Sequence, residues 1–251
     1  MRYLIVTDIH ANWQALSAVL RHARRKHVDR VVFLGDAVGY GASPNQVLAW
    51  LRSLGPPAVA VRGNHDRVCA GMDSGEYFNR FALEASRWTL DHLEPRHLEY
   101  LRAIPVGPLE LEPDVLLCHG STVDEDAYIF SGYDAQLAFE AAPHALILFG
   151  HTHVPSLFTL TPGGAGLDLE VRLLAGRREV VELEPGRRYL LNPGSVGQPR
   201  DRDPRAAYAL YDSSSRRVHL YRVEYAVATA RRRILQAGLP AVLGDRLLYG
   251  A

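Results

Sequence analysis

The chain has 251 residues, with 28 Lys and Arg against 28 Asp and Glu, so its formal net charge at pH 7 is zero. This length is enough for one large or two small domains with a sizeable core, and the zero net charge predicts no general attraction to nucleic acid or anionic membranes. Two cysteines, Cys69 and Cys118, are too few and too far apart for a disulfide framework, which favours a reducing cytoplasm.

The first quarter of the chain alternates strand-like and helix-like segments. Short apolar runs predict buried strands at Tyr3–Thr7, Arg30–Leu34 and Ala58–Arg62. The apolar spacing between them predicts helices at Asn12–Arg25 and Pro44–Leu54. A β-α-β-α-β order predicts a parallel sheet with right-handed crossovers.

The rest of the chain adds a few helices and then mostly strands. The pattern over 79–102 predicts two helices broken near Pro95, and Tyr225–Ala237 predicts a closing amphipathic helix. Strands dominate from Leu157 to Val223, with one of the predicted turns at Pro162–Gly166. Nowhere is there the run of about 20 apolar residues that a membrane-spanning helix needs. Because no long linker or repeat interrupts the chain, we expect a single domain over residues 1–251.

Side chains able to bind metal ions follow five predicted strands. In chain order these are Asp8, His10, Asp36, Asn64, His119, His151 and His153. Ligands gather beyond the carboxyl ends of strands in open α/β sheets, and residues i and i+2 of an extended segment point to the same side. Carboxylate, imidazole and amide groups suit Mn²⁺, Fe or Zn²⁺. Seven candidates exceed one tetrahedral site and suit two divalent ions roughly 3.5–4 Å apart.

These motifs, in this order, resemble the calcineurin-like metallophosphoesterase superfamily. The residues that carry the resemblance are Asp8-Ile9-His10, Gly35-Asp36, Gly63-Asn64-His65-Asp66, His119 and Gly150-His151-Thr152-His153. The later segment Asn192–Gly197 is similar to one in the bacterial and archaeal branch of small phosphoesterases. The resemblance implies an α/β fold, a four-layer sandwich of two mixed β-sheets flanked by α-helices, with the active site at the C-terminal ends of strands.

The resemblance also implies a role for each motif residue. Asp8, His10 and His153 would bind one metal ion, Asn64, His119 and His151 the other, and Asp36 would bridge them. A metal-bridging hydroxide would attack the phosphorus in line. His65 would protonate the leaving oxygen or donate to a phosphate oxygen, and Asp66 would orient its imidazole.

Some positions near the motifs raise further expectations. The family commonly has glycine where this chain has Ala11, and a β-methyl group opposes a positive φ there. Asn12 is expected to cap the following helix. Arg67 and Arg200 are candidates for bidentate contact with a phosphate, and Tyr40 is a candidate for the rim of the site or for stacking on a base. A cap over the site is expected from 79–102 or from Thr122–Ser131.

These observations predict a dinuclear-metal phosphoesterase acting on a phosphomonoester or phosphodiester, with a small nucleotide-like substrate. One alternative is a non-catalytic metal-binding scaffold protein on the same fold. Another is a nuclease or a phosphoprotein phosphatase, although zero net charge disfavours a protein that neutralises many nucleic-acid phosphates. We expect a cytoplasmic protein without membrane or extended nucleic-acid partners, and the choice between monomer and homo-oligomer stays open.

Overall fold

A computed structural model of the chain describes residues 1–55, 59–163 and 166–251. Its strands are β1 Arg2–Val6, β2 Arg30–Phe33, β3 Val59–Ala60, β4 Leu109–Glu112, β5 Val115–Leu117, β6 Leu146–Leu148, β7 Ser156–Gly163, β8 Gly166–Leu173, β9 Arg178–Glu182, β10 Arg188–Asn192, β11 Ala206–Asp212 and β12 Arg217–Val223. Its α-helices are α1 Trp13–Ala23, α2 Pro44–Ser53, α3 Asn64–Cys69, α4 Arg80–His92, α5 Pro95–Ala103, α6 Gly132–Ala141, α7 Val227–Gln236 and α8 Ala241–Asp245.

The strands form two six-stranded mixed sheets. The first has the order β3-β2-β1-β11-β12-β9, and the second has the order β4-β5-β6-β10-β7-β8. Strands β1, β2 and β3 run parallel in the first sheet, as do β5, β6 and β10 in the second. The remaining strands pair antiparallel with their neighbours, so the predicted parallel βα units account for half of the first sheet.

Alternation along each strand produces the layers. In β1, Tyr3 and Ile5 belong to the apolar cluster between the two sheets, whereas Leu4 and Val6 pack against the cluster beneath the helices. Helices α1, α2 and α5 cover that outer face of the first sheet, and α6 covers the outer face of the second around Phe158. Both faces of β1 are therefore buried, which explains its continuous apolar run. The predicted sandwich of two mixed sheets flanked by helices is confirmed.

Most predicted elements occur within a few residues of their expected bounds. The two helices of 79–102 are separate, with Pro95 in the first turn of α5 as its fixed φ favours. Helix α8, next to the C-terminus, was not predicted. The expected start of the third strand at Ala58 and the middle of the turn at Pro162–Gly166 lie outside the described residues.

The parallel strands of both sheets end at one edge of the sandwich. Hydrogen bonds join the segments that follow them: Asp8 N donates to Gly35 O at 2.9 Å, and Gly150 N to His119 O at 2.8 Å. Val196 N, after β10, donates to Thr7 O at 3.1 Å and so connects the two sheets. In the part of the chain that is described, no helix is long and apolar enough to cross a membrane.

Candidate dinuclear metal site

Four of the predicted ligands form one buried group after β1, β2 and β6. The ligand atoms of Asp8, His10, Asp36 and His153 all lie within 4.8 Å of one another. His10 Nε2 is 3.1 Å from His153 Nε2 and 3.4 Å from Asp36 Oδ2. His153 Nε2 is 3.3 Å from Asp8 Oδ1. Two carboxylates and two imidazoles thus point to one centre.

A second buried group shares one residue with the first. It comprises Asp36, His119 and His151, and His119 Nε2 lies 3.5 Å from Asp36 Oδ2 and 3.3 Å from Asn64 Oδ1. The same carboxylate oxygen, Asp36 Oδ2, therefore faces an imidazole of each group. The structure brings together all seven predicted ligands, with Asp36 where a bridging ligand would lie.

Main-chain carbonyl groups orient the imidazoles. The acceptors for the Nδ1–H groups are Val38 O for His10 at 3.0 Å, Leu34 O for His119 at 2.7 Å and Gln198 O for His153 at 2.6 Å. These three rings therefore present Nε2 to the centre. His151 is reversed, because its Nε2 donates to Asp126 O at 3.0 Å and leaves Nδ1 for a ligand. Such outer hydrogen bonds set the tautomer and the ring orientation of metal-binding histidines.

The backbone of the site is largely left-handed. Asp8 and His10 have φ values of +51° and +47°, and Asp36, His151 and His153 lie between +59° and +62°. The expectation of an extended Asp-x-His segment is therefore wrong, because β1 ends at Val6 and both side chains project from the loop beyond it. Non-glycine residues seldom adopt this conformation, and it concentrates at functional sites.

Ala11 shares that conformation, with a φ of +50°. Its β-methyl group does not prevent it, because Ala11 N donates to Ala37 O at 2.9 Å and Ala11 O accepts from Ser43 N at 3.0 Å. Asn12 caps α1 as predicted, since its Oδ1 accepts from Ala15 N at 3.1 Å. The chain thus accommodates alanine where glycine was expected.

Two carboxylate oxygens show that the residues fit divalent ions. Asp8 Oδ1 and Asp36 Oδ2 are buried and accept no hydrogen bond from the described residues. Burial alone would raise the pKa of both carboxyls, yet the facing histidines hold each pKa below its usual range. Burial also opposes charge on His119, but Asp36 outweighs it and raises the pKa of His119 to about 10. Buried anionic oxygens without donors, beside ring nitrogens, match the donors preferred by Mn²⁺, Fe and Zn²⁺.

His65 lies beside both groups at the start of α3. Its ring centroid is 4.9 Å from that of His10, and 4.4 Å from those of Tyr40 and Phe78. Its Nδ1 has no hydrogen-bond partner among the described residues. Burial lowers the pKa of His65 to about 4; Asp36 opposes this and Arg200 adds to it. His65 is thus a buried, neutral imidazole with a free ring nitrogen.

Asp66 was expected to orient the His65 imidazole, but its carboxylate contacts main-chain groups instead. Its carboxylate accepts from three main-chain N–H groups, those of Asp36 at 2.9 Å, Gly63 at 3.2 Å and Val38 at 3.2 Å. Burial, with the nearby Asp36, raises its pKa to about 7. Asp66 therefore holds together the loops that carry the ligands. Gly63 has no room for a side chain, since a Cβ there would collide with Asp36.

The two candidate arginines have different surroundings. The Arg67 guanidinium contacts the carboxylates of Glu125, Asp126 and Asp73, so it is occupied by protein groups. Arg200 forms no ion pair within the described ranges; its Nη2 donates to Gln198 Oε1 at 3.1 Å, and its buried Nε has no partner. Tyr40 is buried with its ring 4.8 Å from that of His10, so it is not at the rim.

The segment 192–197, which resembles one in the bacterial and archaeal branch of the family, hydrogen-bonds to the loops that carry the candidate ligands. Ser195 Oγ donates to Asp8 O at 2.8 Å, and Asn192 Nδ2 donates to Gly150 O at 2.6 Å. A Cβ at Gly197 would collide with Ile9 O, which requires glycine at this close approach. The segment supplies no ligand but joins the loops after β1 and β6.

Sequence reasoning missed the aromatic residues around the site. Phe78 packs on His65, and Tyr128 stacks on His151 with ring centroids 4.0 Å apart. Of the two expected cap segments, Thr122–Ser131 therefore reaches the site, whereas no residue of 79–102 lines the cavity beside Asn64 and His151. The alternation of Tyr128 and Phe130 was the one signal in the sequence, but an aromatic pair in a polar segment is common.

Comparison with known proteins agrees with this geometry. A model of the calcineurin-like phosphoesterase superfamily domain matches residues 1–216. An uncharacterized protein of Methanocaldococcus jannaschii is 33% identical over 253 residues, covering 98% of this chain and 97% of that protein. The crystal structure of a metallophosphoesterase from Sphaerobacter thermophilus superposes with a TM-score of 0.85 at 39% identity, covering 100% and 99% of the two chains.

A shorter similarity is to an enzyme with a named substrate. The symmetrical bis(5'-nucleosyl)-tetraphosphatase of Psychromonas ingrahamii is 39% identical over 76 residues, which cover 30% of this chain and 28% of that enzyme.

Proposed function

The chain belongs to the calcineurin-like phosphoesterase superfamily and is a metal-dependent phosphoric ester hydrolase; on that premise we propose that it hydrolyses a small nucleotide-like phosphomonoester or phosphodiester. The observation that carries the proposal is Asp36, whose single carboxylate belongs to both ligand groups, with His65 directly beside them. This arrangement suits in-line displacement at phosphorus across two ions.

We assign Asp8, His10, Asp36 and His153 to one ion and Asp36, Asn64, His119 and His151 to the other. Two divalent ions, Mn, Fe or Zn, would supply a nucleophilic water near neutral pH and neutralise the phosphate oxygens. The protein's own contribution is to hold these donors apart in a dry site, through the carbonyl acceptors of the histidines and the backbone contacts of Asp66.

His65 is the proposed proton donor. Its free ring nitrogen and its position beside Asp36 support this role, since a phosphate that spanned the two groups would lie next to it. The anionic substrate would favour the protonated imidazole, because an opposite charge nearby stabilises the charged form. His65 then donates to the leaving oxygen or, while neutral, donates a hydrogen bond to a phosphate oxygen.

We propose Arg200, and not Arg67, as the protein's phosphate contact. Arg200 forms no ion pair among the described residues and acts electrostatically on both His65 and His153, which supports a position near a phosphate held between the two ligand groups. Arg67 is held by carboxylates and instead connects α3 to the segment 122–131. A guanidinium that is not neutralised by a carboxylate is the one available to an anionic substrate.

The substrate class has one further support. The partial similarity to a bis(5'-nucleosyl)-tetraphosphatase favours dinucleoside polyphosphates among nucleotide-like substrates.

A non-catalytic scaffold is disfavoured because all seven ligand positions and His65 are present, and a nuclease is disfavoured by zero net charge. Both cysteines are free and buried, which supports the proposed cytoplasmic location.

A metal-reconstituted activity screen tests the proposal. The purified chain is stripped of metal, loaded with Mn²⁺, Fe²⁺ or Zn²⁺, and tested on dinucleoside polyphosphates, cyclic nucleotides, nucleoside monophosphates, p-nitrophenyl esters, a phosphopeptide and an oligonucleotide. We expect about two bound ions per chain and turnover of at least one small nucleotide, lost on chelation. Two bound ions without turnover of any ester would favour the scaffold. Preference for the oligonucleotide would indicate a nuclease, and preference for the phosphopeptide would indicate a phosphoprotein phosphatase.

A further inference from the structure

A cavity of about 210 Å³ opens beside the second ligand group, against Asn64 and His151. We propose that it binds the aromatic ring of the substrate's leaving group, a nucleobase, between Tyr77 and Tyr128. The inference rests on the proposed function, since it names the part of a nucleotide that the same site recognises.

The position of His65 indicates where the leaving group lies. A leaving oxygen that receives a proton or a hydrogen bond from His65 has to be beside that ring. Of the tyrosine and phenylalanine rings beside it, Tyr40 is buried, whereas Phe78 also lines the cavity. We therefore infer that the leaving group extends from His65, along Phe78, into the cavity.

The walls of the cavity are aromatic and open to solvent. Tyr77 is 93% exposed, and Tyr128, which is 45% exposed, stacks on His151 at 4.0 Å and on Phe130 at 5.2 Å. Large exposed aromatic side chains gathered at one opening indicate a binding surface, because they leave apolar area in water until a ligand covers it. A planar ring stacks on the exposed Tyr77 face whichever base it carries, and it meets Tyr128 at its edge, because His151 and Phe130 already stack on the Tyr128 ring.

The charges around the cavity suit a neutral ring and not a second phosphate. Arg67, the cation that lines it, is paired with Glu125, Asp126 and Asp73, and Glu125 also pairs with Arg62. Three carboxylates against two guanidiniums leave no excess positive charge. Arg200, which forms no ion pair with a carboxylate among the described residues, does not line the cavity and lies beside Tyr40.

The size of the cavity limits what enters it. Pockets for whole drug-sized ligands have about 300–1,000 Å³, and this cavity is smaller. It therefore suits one base, while the phosphate stays between the ligand groups and Arg200. A substrate with two nucleosides would place only one of them here.

Calorimetry with adenosine 5'-monophosphate and ribose 5-phosphate tests the inference, because the two share the phosphate and its ester oxygen and differ in the base. The probes are titrated into four metal-loaded proteins that all carry His65→Ala, which slows hydrolysis of the probes. One has the wild-type cavity, two carry Tyr77→Ala or Tyr128→Leu, and the control carries Tyr133→Ala, whose tyrosine is 70% exposed on α6 and does not line the cavity. We expect the protein with the wild-type cavity and the Tyr133→Ala control to bind the nucleotide about tenfold more tightly, the scale of one base–aromatic stack. Tyr77→Ala and Tyr128→Leu should remove most of that ratio while binding ribose 5-phosphate as before.

Equal affinity of the wild-type cavity for the two probes, or a ratio kept in both cavity variants, would overturn the inference. Metal content measured for each variant shows whether Tyr128→Leu has disturbed His151. In that case Tyr77→Ala gives the answer, because the Tyr77 side chain is 93% exposed. Turnover of phosphoesters without discrimination between the probes contradicts only this inference. Discrimination without turnover of any ester contradicts only the proposed function.

Discussion

The ligand cluster and the aromatic cavity beside it are built in opposite ways. The seven ligand side chains are all buried, and main-chain groups hold most of them in place. The cavity residues Tyr77 and Tyr128 are exposed, and the ring contacts of Tyr128 with His151 and Phe130 and the ion pair of Arg67 with Asp126 join the loops around them. The proposed chemistry thus lies among buried side chains held by hydrogen bonds, and the proposed recognition lies among exposed side chains with fewer constraints.

The boundary between the two regions passes through α3. Asn64 and His65 lie in its first turn and belong to the buried cluster, whereas Arg67, one turn later, is tied to the segment 122–131. Substitutions on the two sides of this boundary should therefore affect different measurements. Those in the cluster should change metal content and kcat, and those at the cavity should change affinity for particular substrates.

The largest effect is expected at Asp36. Asp36→Asn weakens both ligand groups at once, since the same Oδ2 faces His10 and His119. We expect the loss of kcat to exceed the roughly 10²–10⁴-fold that removal of a general acid causes, together with loss of bound metal measured by mass spectrometry. A variant that keeps two tightly bound ions and wild-type kcat would contradict the bridging role.

His65→Ala should have the second-largest effect on kcat, and it should leave the metal content unchanged. We expect kcat to fall by about 10²–10⁴-fold on alkyl esters. The fall should be smaller on p-nitrophenyl esters, whose leaving group needs no proton. The same factor on every ester would instead assign His65 to hydrogen bonding of a phosphate oxygen.

A matched pair of arginine substitutions compares the two flanks of the site. Arg200→Gln removes a guanidinium that lacks a carboxylate partner, and a hydrogen bond to a charged group contributes about 1.5–3 kcal/mol, so kcat/KM should fall by about 10–100-fold. Arg67→Gln breaks ion pairs within the protein, and kcat/KM for the same small ester should change by less than about threefold. A larger effect at Arg67 would reverse the assignment of the phosphate contact.

The smallest effect is expected at Thr7, whose hydroxyl group hydrogen-bonds to the candidate ligand Asp8. Thr7 Oγ1 donates to Asp8 Oδ2 at 2.8 Å, so Thr7→Val removes the hydrogen bond at nearly constant volume. We expect metal affinity to fall by about 10–100-fold, with kcat restored at saturating metal. Thr7→Ser retains the hydroxyl and should bind metal like the wild type. Equal metal affinity in all three proteins would show that the hydroxyl does not support Asp8.

How much was predictable depends on whether a residue's role is local or distant in sequence. The ligands were predictable because each follows a strand, and parallel strands of one sheet end at one edge. The role of Asp66 was not, because its three N–H donors come from the segments 36–38 and 63 and not from its neighbour His65. The pairing of Arg67 with Glu125 and Asp126 likewise joins residues 58 and 59 positions apart.

The sequence by itself determined the parallel βα units, the order of the motifs and the seven candidate ligands, since these follow from short-range apolar patterns and residue types. Only the tertiary structure decided that two sheets place their strand ends at one edge, that Asp36 belongs to both groups and that Arg200, unlike Arg67, has no carboxylate partner among the described residues. It also decided that Tyr77, Phe78 and Tyr128 surround one cavity. The physical reason is that burial, pairing and cavity shape depend on contacts between segments far apart in the chain, which no local pattern encodes.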